Sequence, residues 1–380
     1  MTVPFLDLKR QYAGLVDELE AAALAALRSG AYVLGEPVER FEAAFAAYCG
    51  TRFAIATSTG TSALHLALLA ADIGPGDEVI TVPTTFVATS AAVIYAGATP
   101  VLIDVDPVTL TMDPARIEAA ITPRTKAILP VHFHGRLADM AEICRIADAH
   151  GLTVIEDSAQ AHGARRGGTR AGAFGAMGCF SFYPGKNLGA AGEGGAVTTD
   201  DPDLAARLRA LRDWGQSEAR SVHTLHGFNY RMDAIQGAVL DVKLRHLDAW
   251  NAGRRQVARE YGARLGDGVG KPLPSTFEDH VWHVYAITTD DRDGLRAALT
   301  EAGIATNVHY PRPVHLQPAY AHLGNGVGSF PVAEAYATRT LSLPIFPELM
   351  AREIDRVVDA VNAAAPGRSA RRAELKEVAQ

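Results

Sequence analysis

With 380 residues, 48% of them hydrophobic, the chain is long enough for two domains and apolar enough to bury a sizeable core. A formal net charge of −7 and a pI near 6.0 argue against nucleic acid or an anionic membrane as partner. Cys49, Cys144 and Cys179 are odd in number and scattered, so disulfides and zinc fingers are not expected and a reducing compartment fits. No run of about 18 apolar residues occurs, and "MTVPFLDLKRQYAG" lacks the order of a signal peptide, so a soluble cytoplasmic protein is expected.

An N-terminal arm over residues 1–30 precedes an alternation of short β-branched runs and helical stretches. "RFAIAT" (52–57) reads as a strand and "TSALHLALLAAD" (61–72) as the helix after it. Further strands are expected at 77–82, 99–104, 125–130, 152–157 and 195–199, with helices at 89–97, 113–121, 139–151 and 201–215. Strands alternating with helices imply parallel βαβ units in a doubly wound α/β sheet, with ligands at the strands' carboxyl ends. Residues 232–265 read as one long charge-laced helical stretch leading into a smaller α+β domain, where 281–289 and 292–304 are the clearest segments. The division expected is a large domain over 1–250, a small C-terminal domain over 251–365 and a loosely held tail over 366–380.

Lys186 stands out, in "SFYPGKNLGAAGEGGA" (181–196), because its neighbours are small or apolar rather than solvated. A P-loop is excluded, since position 180 is Phe and position 187 is Asn where that motif needs Gly and Ser or Thr, and no GxGxxG follows the first strand. A lysine in a low-dielectric pocket becomes a usable amine nucleophile. Its main enzymatic use is a Schiff base with a carbonyl, above all with pyridoxal phosphate. That cofactor also demands a carboxylate for its pyridine nitrogen, a phosphate cup and a flat neighbour. Asp157, in "VIEDSAQAHG" (154–163), ends an apolar strand. The turn in "ATSTGTSAL" (56–64) offers the backbone of Gly60 and Thr61 with the hydroxyls of Thr61 and Ser62. Phe86, in "PTTFVATS" (83–90), is suited to stacking. Singly, Lys186 would be an ordinary paired lysine and Asp157 a strand-end cap; together they make a cofactor site.

With these segments, "VPFLDLKRQY" (3–12), "GAYVLGEPVERFE" (30–42), "GFNYRMDAIQGAVL" (227–240), "HYPRPVHLQPAY" (309–320) and "TLSLPIFPEL" (340–349) make the chain resemble the DegT/DnrJ/EryC1/StrS family, collinearly over roughly residues 1 to 365. The resemblance implies a pyridoxal-phosphate-dependent sugar aminotransferase of the aspartate-aminotransferase type (fold type I), with a mostly parallel sheet, working as a homodimer. Lys186 would hold the cofactor as an internal aldimine and relay the proton, Asp157 would pair with the pyridine nitrogen, and Gln160 would contact the ring hydroxyl. Ala159 and Phe86 would sandwich the ring, and Gly60, Thr61 and Ser181 would hold the phosphate, with Asn229 reaching the phosphate of the neighbouring subunit. Tyr183, His309, Tyr310 and His315 would face the sugar-nucleotide side.

Dehydratases of the family carry histidine at the lysine position, so Lys186 points to amine transfer. The implied reaction is ping-pong, from L-glutamate to a keto-deoxy sugar nucleotide, with C3 favoured over C4; a non-catalytic cofactor-binding regulator is the rival of another class. His132 and His134 in "VHFHG" (131–135) fall on one face of a strand but lack a third ligand, so no metal is expected. "HVWHVY" (280–285) reads as packing.

Overall fold

The structure, a computed structural model, describes residues 2–216, 221–274, 278–365 and 367. Its helices and strands, in chain order, are α1 (Leu8–Ala13), α2 (Val16–Ser29), α3 (Glu36–Cys49), β1 (Phe53–Thr57), α4 (Gly60–Ala70), β2 (Glu78–Thr81), α5 (Ala88–Tyr95), β3 (Thr99–Leu102), α6 (Ile117–Ala120), β4 (Thr125–Ile128), α7 (Met140–His150), β5 (Thr153–Asp157), β6 (Arg165–Arg166), β7 (Thr169–Arg170), β8 (Met177–Ser181), β9 (Gly195–Thr199), α8 (Pro202–Arg212), α9 (Ala234–Leu244), α10 (Leu247–Arg264), β10 (Tyr285–Thr288), α11 (Arg292–Glu301), α12 (Pro331–Arg339), β11 (Thr340–Leu343) and α13 (Ala351–Ala364). Apart from Gly367, the tail of residues 366–380 lies outside the described residues.

Among the described residues, seven strands form one sheet in the order β1-β9-β8-β5-β4-β2-β3. All neighbours pair parallel except β9, which runs antiparallel to both β1 and β8. The fold is thus α/β with a mostly parallel sheet. Strands such as β2 and β9 are buried along their whole length because helices cover both faces. α4 is buried almost all round, whereas α7 buries only Met140, Ile143, Ile146 and Ala147, one face at helical spacing. This topology brings the carboxyl ends of β1, β5 and β8, and the turn after β2, to one edge, where Gly60, Asp157, Ser181 and Phe86 reside.

β8 was not anticipated from sequence, because Gly178 interrupts its apolar pattern. A Cβ at Gly178 would lie 2.2 Å from Gly172 Cα, so glycine is needed for two backbones to touch. The helix expected over 113–121 is a 3-10 turn at Pro114–Arg116 followed by the single turn α6. The long stretch 232–265 breaks into α9 and α10, where Arg245 and His246 donate to the carbonyls three residues earlier, those of Val242 and Lys243. The break serves two destinations: α9 packs on α2 and α3, while α10 sends Val257 and Tyr261 into a second core. That core joins the β10–β11 pair to α11 and α13 through Leu295, Leu299, Val357 and Val361, and it includes Val3 from the N-terminus. Among the described residues, no helix is long and apolar enough to cross a membrane.

Candidate active site

The turn between β1 and α4 closes as a capping box. Thr59 Oγ1 accepts the Ser62 N–H at 2.9 Å, and Ser62 Oγ accepts the Thr59 N–H at 2.9 Å. Ser62 Oγ also donates to the Thr59 carbonyl at 2.8 Å. The Ser62 hydroxyl, expected in the phosphate cup, is thus engaged in the cap. The box leaves the N–H groups of Gly60 and Thr61 without a partner among the described residues, at the positive end of the helix dipole. Ser181, at the end of β8, closes the other side. A Cβ on Gly60 would stand 2.5 Å from Ser181 Cβ, so the approach requires glycine.

Lys186 is presented by a tight loop. Its own N–H donates to the Tyr183 carbonyl at 2.8 Å, and Gly189 folds so close that a Cβ there would lie 2.4 Å from the Pro184 carbonyl oxygen. Asn187 fastens the loop from beneath, donating to Asn251 Oδ1 and to the Val281 carbonyl, each at 2.9 Å, while its Oδ1 lies 3.2 Å from His283 Nδ1. Lys243 Nζ, on α9, donates to the Gly189 carbonyl. Lys186 Nζ itself has no hydrogen-bond or ion-pair partner among the described residues. Burial pulls its pKa from 10.5 down to about 8, against the pull of Asp157.

Four imidazoles lie within electrostatic reach of this amine. Burial, reinforced by the charge of Lys186, holds His162 at about 3 and His309 at about 4, and keeps His134 and His283 well below the ordinary value. At neutral pH all four are uncharged, so they add no cation beside Lys186. His162 is fully buried between the rings of Phe180 and Phe182.

Asp157 is buried, and its oxygens accept from Thr89 Oγ1 at 2.7 Å and from the Ala159 N–H at 3.2 Å. Burial raises its pKa, opposed by these two donors and by Lys186. The carboxylate therefore has two neutral donors and no ion-pair partner among the described residues. Gln160 Oε1 accepts the His134 N–H at 2.6 Å, and its Nε2 reaches Tyr310 Oη at 3.4 Å. Phe86 is exposed, its ring 5.6 Å from that of Tyr310. His309 Nδ1 lies 2.8 Å from Ser342 Oγ.

His315 is buried against Phe330, with Nε2 3.1 Å from Glu334 Oε1, and its neighbours are these rather than the groups around Lys186. Tyr183 and Asn229 are exposed on the single chain. His132 Nδ1 accepts the Ala138 N–H at 3.1 Å, so its Nε2 carries the proton and donates to Glu156 at 2.9 Å; His134 Nε2 lies 2.7 Å from Tyr336 Oη. Both histidines are thereby engaged in internal bonds. Within "HVWHVY", His280 stacks on Trp282 at 3.9 Å as packing, but His283 joins the lysine loop.

Sequence reasoning missed Thr89, Asn187, His162 and His283. Thr89 was visible inside the quoted "PTTFVATS" at one helical turn from Thr85, whose hydroxyl lies 2.7 Å away. Nothing in the sequence marks His162 or Asn187, since both act through partners distant in the chain.

The residues present fit pyridoxal phosphate. The glycine-lined gap at the start of α4 offers unpartnered N–H donors to an anion. The buried carboxylate lacks the cation that a protonated pyridine would supply, and an unpaired, partly deprotonated amine stands within electrostatic reach of it.

The model of the DegT/DnrJ/EryC1/StrS aminotransferase family matches residues 15–362. The erythromycin biosynthesis sensory transduction protein EryC1 of Saccharopolyspora erythraea is 50% identical over 367 residues, covering 96% of this chain and 100% of that protein. The dTDP-3-amino-3,4,6-trideoxy-alpha-D-glucose transaminase of Streptomyces venezuelae is 50% identical over 361 residues, covering 94% of this chain and 95% of its own. The X-ray structure of S. venezuelae DesV in complex with a ketimine intermediate superposes with a TM-score of 0.94, at 50% identity, covering 96% of this chain and 99% of the other.

Proposed function

Since this chain belongs to the DegT/DnrJ/EryC1/StrS aminotransferase family and is a pyridoxal-phosphate-dependent aminotransferase, we propose that it moves an amino group from L-glutamate to the C3 ketone of a keto-deoxy sugar nucleotide. The observation that carries the chemistry is the Lys186 amine, unpaired among the described residues and depressed to about 8, within electrostatic reach of the buried Asp157 carboxylate. The half-identity to a transaminase named for a 3-amino sugar nucleotide favours C3.

In this reading the Lys186 amine would hold the cofactor and Asp157 would pair with its pyridine nitrogen. Gly60, Thr61 and Ser181 would hold its phosphate, Phe86 and Ala159 would sandwich its ring, and Gln160 would contact its ring hydroxyl. When bound, the cofactor supplies an electron sink for the carbon that exchanges nitrogen and proton. With its amine free, Lys186 Nζ would take the proton from the amino donor's α carbon and would return one to the carbon that receives the amine. Its depressed pKa suits both directions near neutral pH. The neutral histidines leave the amine free to accept that proton without a neighbouring cation. Asp157, oriented by Thr89 and the Ala159 N–H, keeps its charge directed at one place. Tyr183, His309 and Tyr310 face the acceptor, and Asn229, exposed on one chain, completes the site of a second subunit in a homodimer.

The test is an absorption spectrum of purified protein before and after L-glutamate, followed by keto-sugar nucleotides. A visible band bleached by glutamate and restored by a 3-keto acceptor supports the proposal. Restoration only by a 4-keto acceptor moves the amination to C4, and a band that glutamate leaves unchanged overturns the donor.

A further inference from the structure

The N-terminal segment "VPFLDLKR" (3–10) crosses the molecule at the lysine site, although the residues assigned to the reaction all lie beyond residue 59. It is held at both ends. At one end the Val3 N–H donates to the Gly303 carbonyl at 2.8 Å, and the Ala305 N–H donates to the Val3 carbonyl at 3.0 Å. This parallel pairing lays the segment beside the chain that runs on to His309. Val3 is fully buried in the second core. At the other end Arg10, on α1, forms two parallel bonds of 2.7 Å to Glu353, and its guanidinium lies over the Phe346 ring at 5.6 Å. Glu353 is itself fixed, accepting the Met350 N–H at the start of α13.

Between these anchors two side chains reach the site. The Phe5 ring stacks on His309, with centroids 5.8 Å apart and planes inclined by 29°. Leu6 approaches the lysine loop: a Cβ placed on Gly185, next to Lys186, would sit 3.7 Å from Leu6 Cδ2. The His309 ring is thereby held by Ser342 at Nδ1 and by Phe5 on its face.

We propose that this strap is a wall of the active site: Phe5 is a positioning residue that fixes the His309 ring beside Lys186, and the Arg10–Glu353 pair is the latch that keeps the strap seated. Its bearing on catalysis rests on the reading that His309 faces the amino acceptor. The desolvation that holds His309 neutral is partly the strap's doing, because Phe5 covers a ring face that water would otherwise reach.

The test follows carbethoxylation of His309 by diethyl pyrocarbonate, read peptide by peptide by mass spectrometry in the holoenzyme. Phe5→Ala is expected to speed labelling about tenfold, the local opening expected when an aromatic pair is lost. Phe5→Trp keeps the wild-type rate, and Arg10→Gln, remote from the ring, speeds labelling severalfold. Phe5→Leu substitutes if the alanine variant does not fold. In parallel, kcat/KM for the keto-sugar acceptor falls in Phe5→Ala and recovers in Phe5→Trp. Equal labelling rates in wild type, Phe5→Ala and Arg10→Gln overturn the wall, and faster labelling with unchanged acceptor kcat/KM overturns the positioning role. If the wild type transfers no amine at all, labelling still reports on the strap, so failure of the strap and failure of the proposed function are distinguishable.

Discussion

Thr89 Oγ1 donates to Asp157 Oδ2 at 2.7 Å, a buried hydrogen bond joining the first turn of α5 to the end of β5. Among the described residues Asp157 has only one other donor, so this bond sets both the orientation of the carboxylate and how much of its charge is retained. Thr89→Val removes the donor and keeps the shape. A charge-assisted bond of this kind is worth about 1.5–3 kcal/mol, which predicts roughly a tenfold or greater loss in cofactor affinity or kcat. Thr89→Ser should restore most of it. Fluorescence titration with pyridoxal phosphate checks the prediction, and an unchanged Kd with unchanged kcat would contradict it.

The amine of Lys186 reacts when neutral, and burial has moved its pKa from 10.5 to about 8. Because the folded value is depressed, the neutral form dominates above about pH 8. The rate at which cofactor-free protein takes up pyridoxal phosphate should therefore rise with pH and level off past a midpoint near 8. By the same linkage, this group's contribution to the stability of the cofactor-free protein grows as pH climbs from there towards the ordinary lysine value. Stopped-flow growth of the visible band measures uptake; a midpoint at the ordinary lysine value would refute the depressed amine.

Gly60→Ala pushes a methyl group to within 2.5 Å of Ser181 Cβ, and the end of β8 or the start of α4 must move. We expect cofactor affinity to fall by about tenfold or more, since the anion site depends on N–H groups held in place. The melting temperature measured without cofactor should change much less than the gain on adding it. Equal gains in wild type and variant would argue that Gly60 does not border the cofactor.

Glu156, the neighbour of Asp157 on the opposite face of β5, tests stability apart from chemistry. Its buried carboxylate accepts from His132 Nε2 and from the N–H groups of Gly172, Phe174 and Gly175, at 2.8 to 2.9 Å. Glu156→Gln turns one acceptor into a donor facing donors and should cost about 2–4 kcal/mol by urea unfolding. A variant as stable as wild type would show that these four bonds contribute little.

Asn229 is exposed on the single chain, and in the proposed homodimer it would serve the site of the second subunit. Mixing Lys186→Ala with Asn229→Ala protein should regenerate one intact site per hybrid dimer and recover a fraction of wild-type activity. No recovery after subunit exchange, confirmed by light scattering, would mean that the sites are not shared.

Much of this protein is legible in the sequence because it is local. The βαβ alternation, the strand end at Asp157, the small hydroxyl-rich turn before α4 and the lysine among glycines each depend on residues within a few positions of one another, where periodicity and turn chemistry speak directly. The family resemblance over nearly the whole chain holds as read.

Other features were decided only in three dimensions. The Ser62 hydroxyl, expected in the phosphate cup, is turned back into the cap by Thr59, a choice of rotamer that composition does not express. β8 escaped notice because Gly178 is dictated by Gly172 on a crossing segment. His283, Asn187 and Asn251 meet beneath Lys186 from three separate stretches of chain, and His315 is drawn to Glu334 instead. The sequence by itself determined which groups can do the chemistry, since side-chain type and local turn geometry suffice for that. The tertiary structure decided their protonation and their orientation, because burial and hydrogen bonding come from residues that only the fold brings together.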